Sequence, residues 1–236
     1  MKRLILLITV PLWALCPVGS SPAGPAHYTG AWQNRSDAGE TICLEDGYFV
    51  FAKFNTGEKK FHYTWGGPCE TEEGRFVIIL HFDSRDKSEA GKKKELLVKE
   101  SNGQMIITED GQTKTFIRMD DGSAPLAGNW RITGRKQGEV INPIPLRARR
   151  TYKLLTATRF QWMAINIETG EFSGTGGGHY TFKDGKYTEH IEFFSRDSSR
   201  VGASLSFDGK LEDGKWHHSG LSSRGDPVYE IWERTK

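Results

Sequence analysis

The chain is poor in cysteine, in methionine and in any excess of one charge. Its 236 residues include 3 cysteines and 4 methionines, and 32 basic residues stand against 30 acidic ones. Each scarcity excludes something. A near-neutral balance gives no electrostatic footprint for nucleic acid or an anionic membrane surface. No Cys-x-x-Cys pair occurs, so no dithiol redox centre is encoded. No Gly-x-Ser-x-Gly elbow is present, and the glycine-rich "GTGGGH" opens onto no helix that could present amides to a phosphate. It reads instead as a bend or bulge in a strand. Beyond residue 15 no apolar run approaches the roughly 20 residues of a membrane-spanning helix. No longer window carries a helical apolar stripe either.

What is present begins with a leader. "MKRLILLITVPLWALCPVGS" has a basic start at Lys2 and Arg3, an apolar stretch from Leu4 to Leu15, and then small residues. This is the three-part layout of a secretory signal, with Val18 and Ser20 suiting cleavage after Ser20, and it predicts a secreted or periplasmic protein. The alternative is lipid attachment at Cys16 in an outer-membrane lipoprotein, which Leu15, a poor predecessor for a lipidated cysteine, disfavours. Lys2 and Arg3 are the only charged residues of this leader, so the remainder is balanced at 30 of each sign. Cys43 and Cys69 remain, open to a disulfide in an oxidising compartment.

The rest of the chain is written twice. At an offset of 111 residues, positions 48 to 105 align on a second copy without a gap. Phe49 meets Phe160, Phe61 meets Phe172, Thr64 meets Thr175, and Gly66-Gly67 meets Gly177-Gly178. Ser84-Arg85-Asp86 meets Ser195-Arg196-Asp197. The matches fall on glycines and aromatics, the residues that fix turns and cores, and a unit of this length is a small domain. The predicted domains are 27–121 and 126–236, joined through "DDGSAPLAG", a turn-forming stretch. Copy two has insertions at "GRKQGEVINPIPLRARR" and near "SSRGDP".

Both copies read as antiparallel β. Short runs rich in aromatic and β-branched residues are separated by "EDG", "EEG", "SNG", "KDG", "ETG" and "FDG". Hairpin-linked strands at this spacing predict an all-β protein of two tandem up-and-down barrels, because closure removes exposed edges. Ser-Arg-Asp is predicted to be a turn device, since Ser and Asp cap turns through their own backbone.

"TGAW" and "AGNW" open the two units, and Arg118 and Arg234 lie near their ends. Gly-x-Trp with a terminal arginine resembles the lipocalin-like (calycin) superfamily, closely over 128–236 and more loosely over 29–119. Copy two is also similar to uncharacterised secreted lipocalin-like proteins of Bacteroidetes, across "RRTYKLLTATRFQW", "GGGHYTF" and "YTEHIEFF". The resemblance implies that Trp32 with Arg118, and Trp130 with Arg234, are structural pairs closing the base of each barrel.

Duplication supplies an internal control: sister barrels share packing residues and differ where one has a task. By strand alternation Phe76, Ile78, Leu80 and Phe82 share a face, matched in copy two by Tyr187, Glu189, Ile191 and Phe193. Phe51 becomes Trp162, Cys69 becomes Tyr180, Met105 becomes Trp216 and Ile107 becomes His218, while the bulky Trp65 becomes Gly176. If that face points inward, copy one is a filled core and copy two a wetted pocket. Trp162, Tyr180, Tyr187, Glu189, Trp216, His218 and Glu230 are then the candidate binding residues for a small amphipathic, aromatic or carbohydrate-like ligand. In the inverted case Glu189 and His218 face solvent. Two other readings stand beside it: a periplasmic enzyme using Glu189, His218 and Glu230 as acid and base, and an interaction module docking a protein partner through "RFVIILHF". No cofactor is implied. His190, Glu192 and His217 match no established zinc spacing.

Overall fold

The computed structural model describes residues 25–222 and 225–235. The leader expected over 1–20, with Cys16, lies outside them. No helix among the described residues is long and apolar enough to cross a membrane.

The first unit contains β1 (Gly30–Asn34), β2 (Glu40–Glu45), β3 (Tyr48–Asn55), β4 (Lys60–Glu72), β5 (Arg75–Ile79), the short β6 (Phe82–Asp83), β7 (Lys93–Ser101), β8 (Gln104–Glu109) and β9 (Gln112–Asp120). The second contains β10 (Gly128–Gln137), β11 (Val140–Pro143), β12 (Arg149–Leu155), β13 (Arg159–Asn166), β14 (Phe172–Lys183), β15 (Lys186–Phe194), β16 (Ser204–Glu212), β17 (Lys215–Leu221) and β18 (Pro227–Arg234). Sequential strands pair antiparallel, β1 closes on β9, and β10 closes on β18. The result is two tandem, closed, eight-stranded antiparallel barrels of up-and-down order, with β6 and β11 as accessory pieces. The expected all-β architecture is therefore present.

The local reason is turn chemistry. At Asp46-Gly47, Glu73-Gly74, Asn102-Gly103, Asp110-Gly111, Asp184-Gly185 and Asp213-Gly214 both residues have positive φ. That is the two-residue hairpin whose twist matches the flanking strands. Two signals differ: "ETG" lies in the longer β13–β14 connection with only Gly170 at positive φ, and in "FDG" Gly209 lies within β16, beneath the rings of Phe182 and Trp216. The repeated Ser-Arg-Asp caps a short 3-10 turn in each unit. Ser84 and Ser195 Oγ accept the amides of Thr64 and Thr175, each at 2.9 Å. The carboxylates of Asp86 and Asp197 accept those of Ser88 and Ser199.

The base of each barrel is closed alike. Trp32 Nε1 donates to the Tyr28 carbonyl at 2.9 Å, and Arg118 lies 4.0 Å from the indole centroid. Trp130 Nε1 donates to the Leu126 carbonyl at 2.8 Å, beneath Arg234 at 4.6 Å. The register pairs Trp32 with Arg118 and Trp130 with Arg234 across neighbouring strands. Each stack contributes on the order of 0.5–2 kcal/mol.

Two expectations are corrected. Cys43 and Cys69 are free and buried, with no disulfide between them. Cys43 faces outward from β2 toward the other barrel, whereas Cys69 on β4 packs inside the first barrel. Phe82 and Phe193 do not share the interior face of their neighbours. A bulge at Gly177/Gly178 shifts the alternation in copy two, and β5 and β6 are separate segments in copy one. Gly67 and Gly178 permit this, since a Cβ at either would press on the backbone around residues 79–81 or 190–192.

The displaced phenylalanines join the barrels. Phe61 stacks on Phe172 with centroids 6.4 Å apart. Phe82 meets Phe172 at 6.0 Å and Phe193 meets Phe61 at 6.0 Å. These residues are equivalents at the 111-residue offset, so the contacts map onto each other when the copies are exchanged. Between them Gln161 Nε2 donates to Thr64 Oγ1 at 2.9 Å and to Thr175 Oγ1 at 3.1 Å, another equivalent pair. The interface is self-complementary, as in a two-fold dimer.

Candidate functional site

The interiors of the two barrels differ. The first barrel is plugged by a stack in which Trp65 lies 5.2 Å from Phe49 and 5.5 Å from Phe51, leaving a cavity of about 240 Å³. The second opens into a cavity of about 1040 Å³. Trp162, Ile191, Phe194, Leu205, Phe207 and Trp232 form apolar walls around a polar floor. The rim comes from what copy one lacks: the β10–β11 hairpin and the β17–β18 connection, near Gly138 and Pro227. Val140, Ile141 and Leu221 are exposed on these two segments.

Register builds the floor. Across β10, β12 and β13 the partners are Trp130, Lys153 and Trp162. Lys153 Nζ donates to Glu189 Oε1 at 2.7 Å, and Tyr187 OH donates to the same oxygen at 3.0 Å. The lysine and glutamate side chains are each 6 % exposed. The ammonium also lies 5.3 Å from the ring centroids of Tyr187, Trp216 and Trp232. An ion pair taken out of water needs compensation of this kind. The Tyr187 hydroxyl is held well above its ordinary pKa, first by burial and then by the adjacent Glu189.

Glu230 on β18 is flanked by Arg135 on β10 and His218 on β17. Arg135 Nη2 donates to its Oε1 at 2.7 Å and Trp232 Nε1 to its Oε2 at 3.2 Å. Burial raises the Glu230 pKa, but the facing His218 and the charges of Lys153 and Arg135 outweigh it and hold the group at about 2. His218 Nδ1 stands 3.6 Å from Glu230 Oε2, beyond hydrogen-bond range. Neither ring nitrogen of this buried histidine makes a hydrogen bond, and Nδ1 is left facing the Glu230 carboxylate. Burial dominates its titration and lowers its pKa, with Glu230 opposing and Lys153 adding to the shift. An unpartnered imidazole costs about 1–3 kcal/mol, and this one borders the cavity.

Of the seven binding candidates, Trp162, Glu189, His218 and Glu230 border the cavity. Tyr180, Tyr187 and Trp216 lie beneath it: Tyr180 OH donates to the Thr156 carbonyl at 2.7 Å, and Trp216 packs edge-on against Trp130 and Tyr187. Trp162 leans over Gly176, where a Cβ would meet its indole, so the tryptophan partly occupies the space vacated by the plug. His190 and Glu192 face outward, with His190 bonded to Ser204 and Glu192 paired with Arg159 and His179. His217 bonds Tyr229 instead. Among the described residues no three His, Cys, Asp or Glu side chains converge to hold a metal ion.

No protein-family model matches the chain, and no curated protein matches it. The chemistry of the site therefore carries the argument. Its most central residue, Lys153, is absent from the sequence-derived candidates, as are Arg135 and Trp232. Carrying the 111-residue offset back through "ETICLE" would have set Lys153 on Ile42, an apolar-to-cationic change at an interior position. Arg135 belongs to an inserted segment and has no counterpart to compare.

Proposed function

We propose that the chain is an exported, lipocalin-like binding protein whose second barrel takes a small amphipathic ligand. Ring systems, whether aromatic or carbohydrate, suit the tryptophan and phenylalanine walls. The first barrel serves as its structural partner. The observation carrying this reading is the cavity of about 1040 Å³ in the second barrel, walled by Trp162, Phe194, Phe207 and Trp232 around the Lys153–Glu189 pair, where the first barrel holds about 240 Å³. Pockets that are mostly apolar with a few convergent polar groups are the usual form of a ligand site. Glu230, shared by Arg135 and Trp232 and held strongly acidic, is poorly suited to serve as a general base near neutral pH.

Native mass spectrometry of the gently purified protein, with tryptophan-fluorescence titration against a small-molecule panel, tests the reading. A bound mass, or saturable quenching removed by Trp162→Phe, is the expected result. Apo masses only, with emission indifferent to every compound, would defeat it.

A further inference from the structure

The polar atoms around the cavity also bear on what the head of its ligand can be. Among the described residues, every lysine and arginine bordering the cavity is already matched by a carboxylate. Lys153 is paired with Glu189 at 2.7 Å, Arg135 with Glu230 at 2.7 Å, and Lys136 with Glu139 at 3.0 Å. Lys153 is compensated further by three aromatic faces. No cation among the described residues is left over to receive an anion. A ligand carboxylate placed beside Lys153 would stand against Glu189, and two carboxylates cannot comfortably ionise at one ammonium.

What the floor leaves open is an acceptor. His218 beside it, its pKa lowered by burial, has both nitrogens shielded from the cavity, with Nδ1 3.6 Å from Glu230 Oε2. Glu189 Oε1 takes both internal hydrogen bonds, so its second oxygen remains to accept one from a ligand. The complement of that carboxylate oxygen is a donor that brings no negative charge, and a hydroxyl group supplies one.

Resting on the binding role proposed above, we infer that the second barrel selects uncharged, hydroxyl-bearing amphiphiles, such as alcohols or glycosides, over carboxylates of the same chain. Charge balance, set by Lys153 and Glu189, is the selectivity element, and the second Glu189 oxygen is the contact for the hydroxyl.

The test is a matched set on the full chain at pH 7: decan-1-ol, decyl glucoside and decanoate, each below its micellar concentration, followed by tryptophan fluorescence and calorimetry. At least one neutral probe should bind about tenfold or more tightly than decanoate, a margin of roughly 1.4 kcal/mol. Glu189→Gln, which leaves Lys153 uncompensated, should reverse the order. Should Glu189→Gln fail to fold, the wild-type comparison stands alone as the decisive measurement. Tighter binding of decanoate to the wild-type protein would overturn the inference and leave the binding role standing. Absence of binding by all three, together with a ligand-free native mass, would remove both.

Discussion

Lys153, Tyr187 and Glu189 occupy the positions of Ile42, Phe76 and Ile78 in the first barrel, where all three are fully buried among apolar neighbours. Exchanging them in steps measures what the polar floor costs the fold. Lys153→Ile leaves the Glu189 carboxylate, 6 % exposed, with only the Tyr187 hydroxyl, and should destabilise by about 3–5 kcal/mol. Glu189→Ile leaves the ammonium among three rings, whose attraction of about 0.5–2 kcal/mol places this variant toward the milder end. The double variant removes both charges. Its residual penalty is the stranded Tyr187 hydroxyl, about 1–3 kcal/mol. Adding Tyr187→Phe clears that too, and the triple variant should equal the wild-type protein or exceed its stability by up to about 4 kcal/mol. Urea unfolding followed by circular dichroism supplies the numbers, with midpoints compared at constant slope. The signature is strong non-additivity, a coupling of at least about 3 kcal/mol between positions 153 and 189. Single variants that each cost under about 1 kcal/mol, and add, would refute the reasoning, since the pair would then behave as a hydrated surface contact.

Other expectations follow from the same geometry. Glu45, buried with Oε2 unpartnered beside Asp46 and Asp120, has its pKa raised to about 8, chiefly by burial. A carboxyl that binds its proton more tightly when folded contributes stability fully below about 4.5, its ordinary value, and loses it as pH rises toward 8. Glu45→Gln should therefore flatten the decline seen in melting scans between these limits, and an unchanged decline would contradict it. Gly176→Ala places a Cβ against the Trp162 indole and the Phe194 ring, and should shift tryptophan emission and weaken ligand binding without unfolding the barrel. Phe172→Ala removes a half-buried ring stacked on both Phe61 and Phe82 and should cost less than the about 3–5 kcal/mol of a fully buried phenylalanine, read from chemical denaturation.

Much of the architecture is legible in sequence because local rules govern it. X-Gly pairs encode hairpins through their backbone conformation, and aromatic matches at a fixed offset betray a second copy. Gly-x-Trp with a distant arginine marks a base that closes twice. Alternation places Glu189 and His218 on the interior correctly, since β15 and β17 run regularly there. It fails at Phe82 and Phe193, where a bulge or strand break adds a residue that periodicity cannot see. It is equally blind to partners brought together by closure: Arg135 reaches Glu230 across the β10–β18 seam, from a segment with no twin. The two cysteines show a related limit. Both lie on strands of one barrel, yet their side chains point to opposite faces of its wall.

The self-matched seam between the barrels constrains how this chain could change. Phe61 and Phe172 meet as like on like, and Gln161 reaches the same threonine in each half. A substitution at such a position alters the joint from one side only, so drift there is penalised in both halves. Positions inside the barrels feel no such mirror. Joining two copies through outer-wall contacts thus leaves both lumens outside the seam, so one interior can turn polar while the joint stays as it is.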